Sequence, residues 1–91
     1  MYKKGQRKGV WKFNLKPGIK PKRVMLAGDF SMWEPVVMRR QKDGSYTCNV
    51  NLTTGSYEYK FIVDGEWIVD PDHPQRVADP FGGHNSLACC G

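Results

Sequence analysis

The stretch YEYKFIVDGEWIV, residues 57–69, sets two β-rich runs on either side of an Asp-Gly pair. Aromatic and β-branched residues favour extended chain. Asp-Gly between such runs is a strong signal for a two-residue turn of type I′, whose central residues both need positive φ. With Asp64 and Gly65 as the loop, Val63 pairs with Glu66, Ile62 with Trp67 and Phe61 with Ile68. Directly paired residues share a face of the sheet. Tyr57, Tyr59, Phe61 and Ile68 then form a core face, and Trp67 falls on the other beside Ile62, Lys60 and Glu58. A three-residue loop with a bulge would carry Trp67 to the core face instead. The pattern by itself leaves both arrangements open.

The same period-two alternation recurs along the chain. VWKFNL (10–15) puts Trp11, Phe13 and Leu15 on one face and Lys12 and Asn14 on the other. RVMLAG (23–28) is a more continuously apolar strand, with Val24 and Leu26 facing one way. VVMRRQ (36–41) and SYTCNVNL (45–52) flank a Lys-Asp-Gly turn; Met38 meets Cys48, and Val36 meets Val50, only if that turn holds a bulge. KPGIKP (16–21) and the proline-broken DPDHPQRVADPFGGHN (70–85) read as loops, and SLACC (86–90) as a last strand. About seven strands with no helix between them predict an all-β, immunoglobulin-like β-sandwich. The expected organisation is a basic N-terminal arm over 1–9 and one sandwich domain over 10–91.

Composition narrows the function classes. The 91 residues are 40% hydrophobic and 25% charged, which is ordinary for a globular domain. No apolar run approaches the roughly 20 residues of a membrane-spanning helix, so no membrane role is expected. MYKKGQRKG lacks the apolar stretch of a secretory leader, and a cytoplasmic location is the expectation. Nine of the 14 Lys and Arg residues fall in the first 23, before any acid. That run reads as a solvated arm and edge strand, where lysine discourages edge-to-edge pairing, rather than as a nucleic-acid patch. The adjacent Cys89 and Cys90 cannot supply the spacing of a metal knuckle, and Cys48 alternates with Tyr46 and Val50 as a small core residue. Neither a metal nor any other cofactor is expected.

Catalysis has little support. Glycoside hydrolysis needs two carboxyl groups at a set separation in a cleft, whereas Asp29, Glu34, Asp64, Glu66, Asp70, Asp72 and Asp79 sit in turn and loop contexts. His73 and His84 have no Ser or Cys partner at a motif spacing, and GGHN precedes no helix that would make it a phosphate loop. The tryptophans offer more. Trp11 belongs to a core face by alternation. Trp33, in AGDFSMWEPVV, has no clean alternation and reads equally as a lid on the core or as an exposed platform. A flat indole stacks well on the apolar C–H face of a sugar ring, because it is a large apolar body with few rotamers. Lys60, Asn85 and His84 are candidate hydrogen-bond partners for the ring hydroxyls.

LAGDFSMWEP (26–35), GSYEYKFIVDGEWIVDP (55–71) and DPFGGHNSL (79–87) resemble carbohydrate-binding module family 48. That family includes the glycogen-binding domain of the AMP-activated protein kinase β-subunit and the N-terminal modules of isoamylases and branching enzymes. The resemblance spans about residues 10 to 90. It implies an early-set immunoglobulin-like sandwich that binds α-1,4-glucan (glycogen, starch or maltooligosaccharide) without catalysing a reaction. By the same resemblance Trp33 and Trp67 are the sugar-stacking platforms and Lys60 hydrogen-bonds the glucan. Asn85 or His84 is the polar contact before the last strand. Ser31 and Met32 stand where many members carry asparagines. The alternative is a regulatory module that packs on an α-glucan enzyme or kinase subunit without binding sugar.

Overall fold

The computed structural model describes residues 2–5, 7, 9–18, 20–73, 75–80 and 82–90; Phe81 of the DPFGGHN stretch therefore lies outside the described residues. The described residues form ten strands: β1 (Tyr2–Lys4), β2 (Val10–Leu15), β3 (Val24–Gly28), β4 (Val36–Val37), β5 (Arg39–Arg40), β6 (Tyr46–Asn51), β7 (Gly55–Val63), β8 (Glu66–Ile68), β9 (Arg76–Ala78) and β10 (His84–Cys90). One turn of 3-10 helix, Asp29–Ser31, follows β3. The strands make two antiparallel sheets, ordered β1-β2-β6-β5 and β4-β3-β7-β10-β9, with β8 paired to β7. Among the described residues no helix is long and apolar enough to cross a membrane.

The core lies between the sheets, and the inward residues of each strand make it. Phe13 and Leu15 of β2 meet Val24 and Leu26 of β3 and Tyr59 and Phe61 of β7, all essentially inaccessible to solvent. Trp11, Tyr57 and Ile68 pack against this cluster from its margin. Aromatic rings dominate: Phe13 and Tyr59 meet edge to face with centroids 5.0 Å apart, and Tyr59 and Phe61 at 5.7 Å. Such geometry places ring edges against ring faces, as their quadrupoles favour.

Three features depart from the sequence-based strand map. First, 36–41 is divided between the two sheets: Val36 and Val37 pair with β3, whereas Arg39 and Arg40 pair with β6. Met38 is the crossing point; its side chain is buried and its N–H donates to Val24 O at 2.9 Å. Second, the loop over 70–85 contains β9, paired to β10, and β10 begins at His84 rather than Ser86. Third, Tyr2–Lys4 of the basic N-terminal stretch is held as a strand on β2. Tyr2 explains this, because its ring reaches Phe13, Tyr59 and His73, and Cys89 N–H donates to its hydroxyl at 2.9 Å.

Candidate functional site

Everything at the site depends on the outer face of the second sheet, and the Asp64–Gly65 turn decides what that face carries. Asp64 and Gly65 have φ of 50° and 86°, the left-handed pair that a two-residue type I′ turn requires. Val63 pairs with Glu66, Ile62 with Trp67 and Phe61 with Ile68. Trp67 therefore points away from the core and remains 47% exposed, while Ile62, held between Met25 and Trp67, is buried beneath it.

Trp33 arrives from the other side, on the segment after β3. Gly28 ends that strand against β7; a Cβ there would lie 2.6 Å from Glu58 O and 2.7 Å from the Phe30 ring, so only glycine permits the approach. The 3-10 turn follows, and then Met32 and Trp33 adopt φ of 53° and 63°. Two consecutive left-handed residues that are not glycine cost roughly 1 kcal/mol or more each. The turn is fixed by hydrogen bonds from Trp33 N–H to Gly28 O at 2.9 Å and from Glu34 N–H to Ser31 O at 3.0 Å. The half-buried indole donates from Nε1 to Asp29 Oδ1 at 3.0 Å.

Between these indoles lies an open pocket of about 530 Å³, lined by Asp29, Trp33, Glu58, Lys60, Trp67, Asp79, Pro80 and Asn85. Lys60, on β7, forms an ion pair with Asp79 at 3.2 Å. Asp79 also closes its own turn, accepting from Gly83 N–H at 2.9 Å. Asn85, on β10, is buried and donates from Nδ2 to Glu58 Oε1 at 3.1 Å. The structure thus brings Trp33, Lys60, Trp67 and Asn85 to one wall. His84 is left out of it: strand alternation turns it away from Asn85, and it is exposed at the start of β10.

The pocket also contains carboxylates that sequence reasoning treated as turn residues or passed over. Glu58 was legible as the i−2 neighbour of Lys60 on the strand. Asp29 and Asp79 were not, because the Gly-Asp and Asp-Pro settings point first to turns. Apolar ring faces beside a ring of donors and acceptors suit a neutral, polyhydroxylated ligand. A larger depression, about 870 Å³, lies on the outer face of the first sheet, but it is lined by Lys3, Arg7, Lys12, Arg39 and amides and offers no aromatic wall.

The chain is 42% identical over 65 residues to "Protein PTST homolog 2, chloroplastic" of Arabidopsis thaliana, an overlap of 70% of this chain and 12% of that protein. It is 36% identical over 66 residues to 5'-AMP-activated protein kinase subunit beta-1 of Sus scrofa, covering 72% of this chain and 52% of that one. The chain thus spans a minor part of the first relative and about half of the second. Its fold superposes on a crystal structure of the maltogenic amylase from S. marinus with a TM-score of 0.83 and 22% identity, over 100% of this chain and 16% of that enzyme. The model of the family described as "Glycogen recognition site of AMP-activated protein kinase" matches residues 11–88, and the chain belongs to that family.

Proposed function

We propose that this domain binds α-1,4-glucan on the outer face of its second sheet, with sugar rings stacked on Trp33 and Trp67. Lys60 and Asn85 supply hydrogen bonds to the hydroxyls. Membership of a glycogen-recognition family supports carbohydrate binding in general. The observation that carries the finer reading is the convergence of two indoles, an ammonium and a carboxamide on one open pocket. Burial of apolar ring faces drives such association, and the polar rim sets orientation.

The reading is one of binding without chemistry. Asp29, Glu58 and Asp79, the carboxylates of the wall, each accept hydrogen bonds from neighbouring protein groups. They serve the shape of the pocket rather than stand as an acid and base pair. We take residues 10–91 as a module of a longer protein that brings a catalytic domain or kinase subunit to glucan. The relative named as a kinase subunit, of which the chain covers about half, favours that arrangement. The three free cysteines fit a reducing compartment, whether cytoplasm or plastid stroma.

Isothermal titration with maltoheptaose and with β-cyclodextrin tests the assignment, with tryptophan fluorescence followed in parallel. Saturable heat with a shift in indole emission is expected. No heat and no emission change for either ligand would remove the site.

A further inference from the structure

We infer that Asp29 is a positioning residue of the sugar site, fixing the tilt of the Trp33 ring relative to Trp67. The inference rests on the glucan-binding reading of that pocket. Both oxygens of the Asp29 carboxylate are engaged. Oδ1 accepts from Trp33 Nε1 at 3.0 Å, and Oδ2 accepts from the backbone N–H of Glu58 on β7 at 2.8 Å. One side chain thus ties the indole to the rigid central strand that also carries Lys60.

The Trp33 segment needs such a tie. Its backbone holds two successive left-handed residues, and Met32 is 89% exposed, so the Met32 side chain contributes almost no packing that would hold the turn. An indole without a bonded N–H could swing about χ1 and χ2 at the pocket mouth. Trp67 shows the contrast: its place is set by strand pairing, and among the described residues its ring nitrogen has no hydrogen-bond partner. Glu58 stands to Asn85, and Asp79 to Lys60, as Asp29 stands to Trp33. Each carboxylate of the wall restrains one side chain that faces the ligand. Restraint of this kind raises affinity by lowering the entropy lost on binding.

A double-mutant cycle separates positioning from direct contact with sugar. Asp29→Ala is expected to weaken β-cyclodextrin binding about fivefold, the loss that accompanies one hydrogen bond. Phenylalanine has no ring N–H, so in a Trp33→Phe background the same Asp29→Ala change should cost less than about twofold. An equal loss in both backgrounds would mean that Asp29 touches the ligand itself, and would overturn the inference. Proton exchange at the indoles, followed by NMR without ligand, is the second readout. In the wild type, Trp33 Nε1–H should exchange with water more slowly than Trp67 Nε1–H, and Asp29→Ala should accelerate Trp33 alone. Equal exchange of the two wild-type indoles overturns the inference even if Asp29→Ala does not fold. If the wild type binds no glucan, the functional reading fails, while the exchange comparison still judges Asp29.

Discussion

An indole 47% exposed on an outer sheet face leaves roughly 100 Å² of apolar surface in water, given the usual area of a tryptophan side chain. At about 25 cal/mol per Å², covering that surface with a sugar ring contributes on the order of 2 kcal/mol. Trp67→Ala should therefore weaken glucan binding by roughly thirtyfold. Its cost to the fold should stay near 1 kcal/mol or below, because Trp67 lies outside the core cluster. Titration with β-cyclodextrin alongside thermal melts checks both halves; a large fall in melting temperature would mark Trp67 as structural. The sequence showed this residue clearly enough to frame two alternatives, outside on a two-residue turn or inside on a bulged one. It could not place Trp33, whose exposure is set by left-handed backbone at two non-glycine positions, a conformation that no local pattern announces. It also left Asn85 and His84 as equal candidates, since the start of β10 was invisible within a proline-broken stretch. Strand alternation, once the strand is placed, assigns them to different faces.

The two Asp-Gly turns show where pattern ends and tertiary structure begins. Around Asp43-Gly44 the loop has three residues: Gln41 N–H donates to Ser45 O, only Gly44 is left-handed, and Asp43 Oδ1 accepts from Ser45 N–H and hydroxyl. Around Asp64-Gly65 the loop has two residues and Asp64 itself is left-handed. Its Oδ1 accepts from the N–H groups of Lys22 and Arg23, more than 40 residues away. The dipeptide is the same; the distant partner differs, and a window of sequence does not contain it. A second long-range tie joins β7, β10 and the turn after β8. Asp70, fully buried, accepts from the Tyr59 hydroxyl at 2.7 Å, and its own N–H donates to Ser86 Oγ at 2.7 Å. Burial, and next the hydrogen bond to Asp70, push the Tyr59 phenol well above the ordinary tyrosine range. Tyr59→Phe removes a donor from a buried carboxylate and should cost about 1–3 kcal/mol, or some 4–8 °C of melting temperature per kcal/mol. The pH dependence follows from the direction of the shift. Above about pH 10 an unfolded tyrosine loses its proton while folded Tyr59 keeps it, so the folded state binds more protons and its stability falls. Phenylalanine has no such proton. The stability gap between wild type and Tyr59→Phe should thus shrink by about 1.4 kcal/mol per pH unit above pH 10. Urea midpoints at about pH 8 and about pH 11 measure it, and a constant gap would contradict the proton-donor role.

Across the whole molecule the charges are sorted by face. The outer face of the first sheet carries Lys3, Lys12 and Arg39 among Thr47 and Asn49, and Lys3 stands directly opposite Lys12 across the β1–β2 pair. Like charges so placed disfavour pairing by up to about 1 kcal/mol. The pocket between Trp33 and Trp67 has the reverse balance, with Asp29, Glu58 and Asp79 against Lys60. The net charge of +5 therefore belongs mostly to a surface turned away from the indoles and says little about the ligand. A neutral glucan releases no counterions when it stacks on tryptophan, whereas a polyanion on the lysine face would lose affinity steeply with salt. Binding of maltoheptaose should change by less than about twofold between roughly 20 and 500 mM salt, a range over which exposed charges become largely screened. Lys12→Gln should leave that affinity unaltered. It should also raise thermal stability slightly at low salt by relieving the Lys3–Lys12 repulsion, with the gain fading as salt is added. A steep salt dependence that vanished in Lys12→Gln would transfer ligand recognition to the first sheet, and the pocket between Trp33 and Trp67 would lose its assignment.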